Sequence, residues 1–118
     1  MTSTSFEIAK PFLGKKVTAK FDRPLGTKHP KYNYYYPVNY GYLPGVVSAD
    51  GSDLDVYYLG YDDPADELDG VCIAIIHRED DDDDKLVVVP EGQDITDEQI
   101  MQAVRFQEQY FKSSVIRE

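Results

Sequence analysis

The chain has 118 residues, of which 42% are hydrophobic: enough for one domain with a single core, and too apolar for a disordered chain. Its formal net charge of −10 argues against general binding to nucleic acid or to an anionic membrane, since both rely on a basic face. The charge is uneven, with seven of the 12 basic residues at positions 10–31 and 18 acidic residues from Asp50 to Glu98.

Residues 1–14 carry no clear periodicity, and the start MTSTSFEIAK lacks the apolar core of a signal peptide. No apolar run approaches the ~20 residues that span a bilayer, so the expectation is a cytoplasmic protein with no membrane partner. KKVTAKFD (15–22) alternates Val17, Ala19 and Phe21 with Lys16, Thr18 and Lys20, which predicts a strand with one wet face. RPLGTKHPK (23–31), with two prolines and a glycine, reads as a loop. YNYYYPVNYGYLPG (32–45) holds six of the ten tyrosines, and Pro37 and Pro44 argue for short extended pieces over one central strand.

LDVYYLGY (54–61), GVCIAIIH (70–77) and KLVVVP (85–90) are strand candidates, and REDDDDDK (78–85) then becomes a hairpin connection. Cys72 is the only cysteine, which excludes an internal disulfide and, inside VCIAII, reads as a packed core thiol. Thr96 with Gln99 forms a capping box, Asp97 and Glu98 suit a helix start, and Ile100, Ala103, Val104 and Phe111 form an apolar stripe. About five strands and one C-terminal helix predict a mainly β, α+β chain: a small closed or partly open barrel with a packed helix, in one domain over 1–118.

ADGSDLDV (49–56) crowds Asp50, Asp53 and Asp55 beside a glycine turn. In a strand, Asp53 and Asp55 share one face, opposite Val56 and Tyr58, and Asp50 can fold back toward them. Two like charges ~4 Å apart repel by roughly 4 kcal/mol at an effective dielectric of 20, so converging carboxylates need a cation; Mg²⁺ prefers such oxygen ligands. On spacing alone, carboxylates splayed into water remain the favoured reading. An EF-hand is excluded, because Leu54, Asp55 and Tyr61 stand where that loop needs an oxygen ligand, a glycine and a glutamate. His29 and His77 are too few for a zinc site without cysteine partners. Tyr36, Tyr40 and Tyr42 precede the acidic turn, and phenols are good neutral donors to phosphate.

The stretch YYPVNYGYLPGVVSADGSDLDVYYLG resembles the soluble, magnesium-dependent inorganic pyrophosphatases, whose YPVNYGYIPGT is followed by DGDPLDV. Further pieces fall in order: Asp22-Arg23-Pro24-Leu25-Gly26-Thr27 then Lys31-Tyr32; Asp83 to Pro90 for D-x-K-L-V-x-V-P; and Phe106, Glu108 and Tyr110 for F-x-E-x-Y-K. The resemblance covers residues 20–112 and implies a five-stranded, OB-like barrel that hydrolyses pyrophosphate, or a related phosphoanhydride, with Mg²⁺. It implies metal ligands at Asp50, Asp55, Asp83 and Asp80. It implies substrate contacts at Asp22, Lys31, Tyr36, Tyr40, Lys85 and Tyr110, with Lys31, Tyr40 and Asp55 in catalytic roles. A small-molecule substrate and an optional homo-oligomer come with it.

The departures are specific. Ser52 stands where the family has its water-activating Asp, which leaves Asp53 as the candidate for that duty. Phe111 stands where a lysine is expected, and the arginine-bearing hairpin between Lys31 and Tyr36 is absent, with Arg23 or Lys28 as candidate replacements. They keep an alternative open: a catalytically weakened module that binds a phosphorylated metabolite.

Overall fold

A computed structural model describes residues 4–48, 51–80 and 82–117. A short helix α1 (Thr4–Ala9) and one turn of 3₁₀ helix (Lys10–Phe12) precede β1 (Lys16–Arg23). Then come β2 (Asn39–Val47), β3 (Asp53–Tyr58), β4 (Glu67–Arg78), β5 (Lys85–Val89), α2 (Asp97–Glu108) and β6 (Ser113–Ile116).

The strands run in the order β1-β2-β3-β5-β4-β6, and β1 also pairs with β4, so β1 to β5 close into a barrel and β6 adds to its outside. All pairings are antiparallel except β3 with β5, where Val56 faces Leu86 and Tyr58 faces Val88. This is the five-stranded OB-like barrel with a C-terminal helix that the sequence predicts, enlarged by α1 and β6. The β4–β5 hairpin pairs Ile76 with Lys85 across the acidic connection.

KLVVV is buried at every position because both of its faces are covered. Leu86 and Val88 point into the barrel with Leu54, Val56, Cys72 and Ile75. Val87 and Val89 point outward against Ile100 and Val104 of α2, together with Tyr57, Ala74 and Ile76. Cys72 is fully buried, as the apolar run around it requires, and burial pushes its thiol up to about 12.

Asn39–Val47 forms one strand despite Pro44. The register shifts between Tyr42 and Val47, and Pro44 sits exposed in that irregularity, where no ladder hydrogen bond is demanded of it. Gly41 is required by packing: a Cβ there would lie 2.6 Å from the Phe21 Cα of the neighbouring strand. The capping box forms as expected, with Gln99 N donating to Thr96 Oγ1 at 3.1 Å and Thr96 N donating to Gln99 Oε1 at 2.9 Å. The helix ends at Glu108, so Phe111 lies beyond it and the buried stripe is Ile100, Val104 and Glu108.

Candidate active site

β3 carries Asp53 and Asp55 on one face, both half-exposed, while Leu54 and Val56 are buried on the other. Gly51, at φ +85°, makes the turn before them, with Ser48 N donating to Ser52 O at 2.7 Å. Asp50 lies outside the described residues.

The parallel pairing of β3 with β5 brings Lys85 alongside Asp55. The Lys85 ammonium donates to Asp55 at 2.7 Å and to Asp83 at 3.2 Å. It lies 5.5 Å from the centre of the Tyr40 ring, within cation–π range. Burial works against the Lys85 charge, but Tyr40, Asp55 and Asp83 outweigh it and hold the ammonium above the ordinary lysine range. Burial raises the Asp55 carboxyl, and Lys85 offsets this in part. Burial likewise raises the Tyr40 phenol, which stays protonated at neutral pH.

Behind this group lies a second ionic cluster. Arg78, at the end of β4, donates to Glu108 of α2 through Nε at 3.0 Å and Nη2 at 2.7 Å, and through Nη1 to Asp83 at 3.3 Å. Its guanidinium stacks on Phe111, 3.6 Å from the ring centre. Tyr57 and Ser113 each donate to Glu108 at 2.6 Å. Gln107 donates to Tyr57 at 2.7 Å, and Tyr36 donates to Gln107 at 3.5 Å. Burial raises the Glu108 carboxyl, yet hydrogen bonds from Arg78, Ser113 and Tyr57 win and hold it below the usual range.

These groups open onto a cavity of about 400 Å³ lined by Tyr40, Asp55, Asp83, Lys85, Arg78 and Gln107, with His29, Tyr32, Tyr34, Tyr110 and Phe111 around them. Five residues expected at a site therefore meet in one cavity: Tyr40, Asp55, Asp83, Lys85 and Tyr110.

Several others lie apart from it. Tyr36 is 1% exposed, and its hydroxyl accepts from Arg23 at 2.6 Å, so neither lines the cavity. Asp22, Lys28 and Lys31 are exposed on β1 and the following loop, also outside it. Asp53 shares the Asp55 face but not the cavity wall.

The acidic run divides its labour. Asp80 accepts from Lys112 N at 3.2 Å, Asp82 from Ser5 Oγ at 2.6 Å, and Asp84 from Arg78 N at 3.0 Å while facing His77. Asp83 alone among the described residues of the run reaches the cavity. No cluster of three metal-binding side chains forms among the described residues.

Sequence reasoning passed over six of the cavity residues: Arg78 and Gln107, and the rings of His29, Tyr32, Tyr34 and Phe111. A usable signal existed for the ionic cluster: Arg78 ends an otherwise apolar run, and Glu108 falls four residues after Val104 on the core-facing stripe. A charge in a core register calls for a buried partner.

The OB-like barrel thus carries a cavity in which acidic and basic side chains meet. The inorganic pyrophosphatase family model matches residues 6–115, and the chain belongs to that family. It is 34% identical over 78 residues to the inorganic pyrophosphatase of Aeropyrum pernix, a match spanning 63% of this chain and 42% of that relative. Among solved structures, the inorganic pyrophosphatase of Ehrlichia chaffeensis superposes with a TM-score of 0.68 at 16% identity, covering 86% of this chain and 85% of that one. The Coxiella burnetii enzyme gives 0.64 at 20% identity, covering 87% and 86%. These two show the fold. No helix among the described residues is long and apolar enough to cross a membrane.

Proposed function

We propose that the protein hydrolyses inorganic pyrophosphate, or a related phosphoanhydride, to phosphate with Mg²⁺ as cofactor. One observation carries this reading: Lys85, a buried ammonium, sits between Asp55 and Asp83 on the wall of the cavity that Tyr40 also lines.

The donor set suits magnesium. Mg²⁺ keeps several waters and is commonly held by one or two carboxylates together with substrate phosphates. Asp55 and Asp83 supply two such carboxylates, each with 28% of its side chain exposed and so reachable by a hydrated ion. When bound, the metal supplies charge neutralisation and activation of the attacking water. Asp50, carried over from the family motif, is a third candidate ligand, and Asp80 a fourth once its bond to Lys112 is released.

The remaining duties fall to the chain. Lys85 turns from the carboxylates to the phosphate oxygens, where a fixed cation in a partly dry site stabilises the charge that develops on the leaving group. Tyr40, kept as a neutral phenol, donates a hydrogen bond to a phosphate oxygen. Asp53, on the same strand face as Asp55, accepts the proton of the attacking water in place of the family Asp at Ser52. Tyr110 contacts phosphate from the cavity rim. Arg23, Lys28 and Lys31 reach the substrate when the 23–36 loop closes over the cavity, and Asp22, fixed on β1, stands at the base of that loop.

A second reading, binding without turnover, draws on one observation: Asp55 and Asp83 are already ion-paired with Lys85. Phosphate release from pyrophosphate in Mg²⁺ distinguishes the two, comparing the native chain with Asp55→Asn. Hydrolysis predicts release that the substitution abolishes; background release across several divalent metals refutes it.

A further inference from the structure

Bare pyrophosphate is all charge and hydrogen-bond acceptors, with no apolar face to bury. The cavity is built for more than that. Its floor is ionic, with Lys85, Arg78, Asp55 and Asp83, but its mouth is aromatic. Tyr32 and Tyr110 line it while remaining 61% and 66% exposed. Their rings are nearly parallel, 21° apart, with centroids separated by 6.4 Å. A flat ring stacked between them needs ~7 Å, ~3.5 Å on each side, so the two exposed rings part by about 0.6 Å or more to admit one.

Tyr32 is held in place. Tyr32 N donates to His29 Nδ1 at 3.2 Å, and the Tyr32 ring lies 4.9 Å from His29 and 6.2 Å from Tyr34, at 8° to the latter. On the other side, Tyr110 lies two residues past the end of α2, its N–H donating to Gln107 O at 3.4 Å. Phe111, in the position where the family motif has a lysine, replaces a phosphate-binding cation by another aromatic wall. Exposed aromatic side chains that flank a charged groove are the pattern by which proteins stack nucleobases.

We propose that the cavity takes a phosphoanhydride bearing an aromatic base, a nucleoside diphosphate, with the base between Tyr32 and Tyr110 and the diphosphate on Lys85 and the ionic floor. This rests on the reading of that floor as a phosphoanhydride site. It assigns Tyr32 and Tyr110 the selection of the base.

The test uses a matched pair of non-hydrolysable probes, α,β-methylene-ADP and methylenediphosphonate, titrated calorimetrically into the full chain in Mg²⁺. The base adds roughly five- to 150-fold in affinity, the span of measured base–aromatic stacking. Tyr32→Ala removes that advantage, Tyr32→Phe keeps it, and Tyr35→Ala, at an exposed tyrosine outside the cavity, leaves it unchanged. Equal affinities for the two probes in the native chain overturn the proposal, as does an advantage that survives Tyr32→Ala. A native oligomer that Tyr32→Ala dissociates also overturns it, because the ring pair then belongs to a second copy. Phosphate release from pyrophosphate, measured alongside, separates the two readings. Background release with the base advantage intact refutes hydrolysis and leaves the base site standing; brisk release with equal probe affinities does the reverse.

Discussion

Replacing Glu108 by alanine removes the hub of the buried network that ties α2 to the barrel. The carboxylate accepts four hydrogen bonds, two from Arg78, one from Tyr57 and one from Ser113. The Glu108 side chain is fully buried and that of Arg78 is 4% exposed, so the substitution removes the two shorter bonds of a guanidinium that water reaches poorly and leaves it the 3.3 Å bond to Asp83. Breaking a buried pair from one side costs about 3–5 kcal/mol, against a total stability of ~0.05–0.15 kcal/mol per residue, or about 6–18 kcal/mol for a chain of this length. With a urea slope near ~2 kcal/mol/M, the unfolding midpoint falls by about 1.5–2.5 M. Arg78→Met combined with Glu108→Leu recovers much of the loss, because two apolar side chains need no partner and no desolvation. A Glu108→Ala cost below ~1 kcal/mol refutes the reasoning. So does a double variant that loses the sum of the two single losses, since contacting groups must couple.

Three further outcomes follow from the same geometry. The Glu108 carboxyl is held below its unfolded-state value, near ~4.3, so its stabilisation is complete above that pH and is lost as pH falls through the lower, folded-state value. The difference in denaturant stability between native and Glu108→Gln protein is therefore flat from pH 8 to 5 and shrinks below about 4.5; a difference that changes between pH 8 and 6 contradicts this. Lys85→Met, which keeps the stem and removes the charge beside Asp55 and Asp83, lowers kcat/KM for pyrophosphate by about 100-fold or more in a phosphate-release assay, and a loss below ~10-fold removes Lys85 from the chemistry. Chelation with EDTA stops phosphate release while leaving the thermal midpoint in place, because in the metal-free chain Lys85 bonds both carboxylates and Arg78 adds a contact to Asp83; a large fall in the midpoint instead assigns the ion a structural role.

Four barrel strands, β1, β3, β4 and β5, are legible in the sequence by itself, with the α2 cap and the family, whereas β2 reads as broken pieces because of its prolines. Alternation placed β1, an apolar run bounded by turn signals placed β4 and β5, and Thr96 with Gln99 set the helix start, because each is a local pattern whose period or hydrogen bonds need nothing from the rest of the chain. It also placed Asp53 and Asp55 on one strand face, which the two-residue period dictates. Two pieces stayed hidden for want of length: α1 has six residues and β6 four, too few for a periodicity, and both exist by docking on β4.

Tertiary structure decided which charges meet. Six consecutive acidic residues, Glu79 to Asp84, are interchangeable as a string, yet Asp83 reaches Lys85 while Asp80, Asp82 and Asp84 turn to Lys112, Ser5 and His77. The hairpin's twist and its neighbours select among them, and a sequence encodes neither locally. The same holds for the cavity itself. Lys85 joins Asp55 through a parallel pairing of strands, 30 residues apart, and Arg78 joins Glu108 across an equal separation of 30 residues. Such long-range contacts form only when closing the barrel repays the entropy of bringing the chain together.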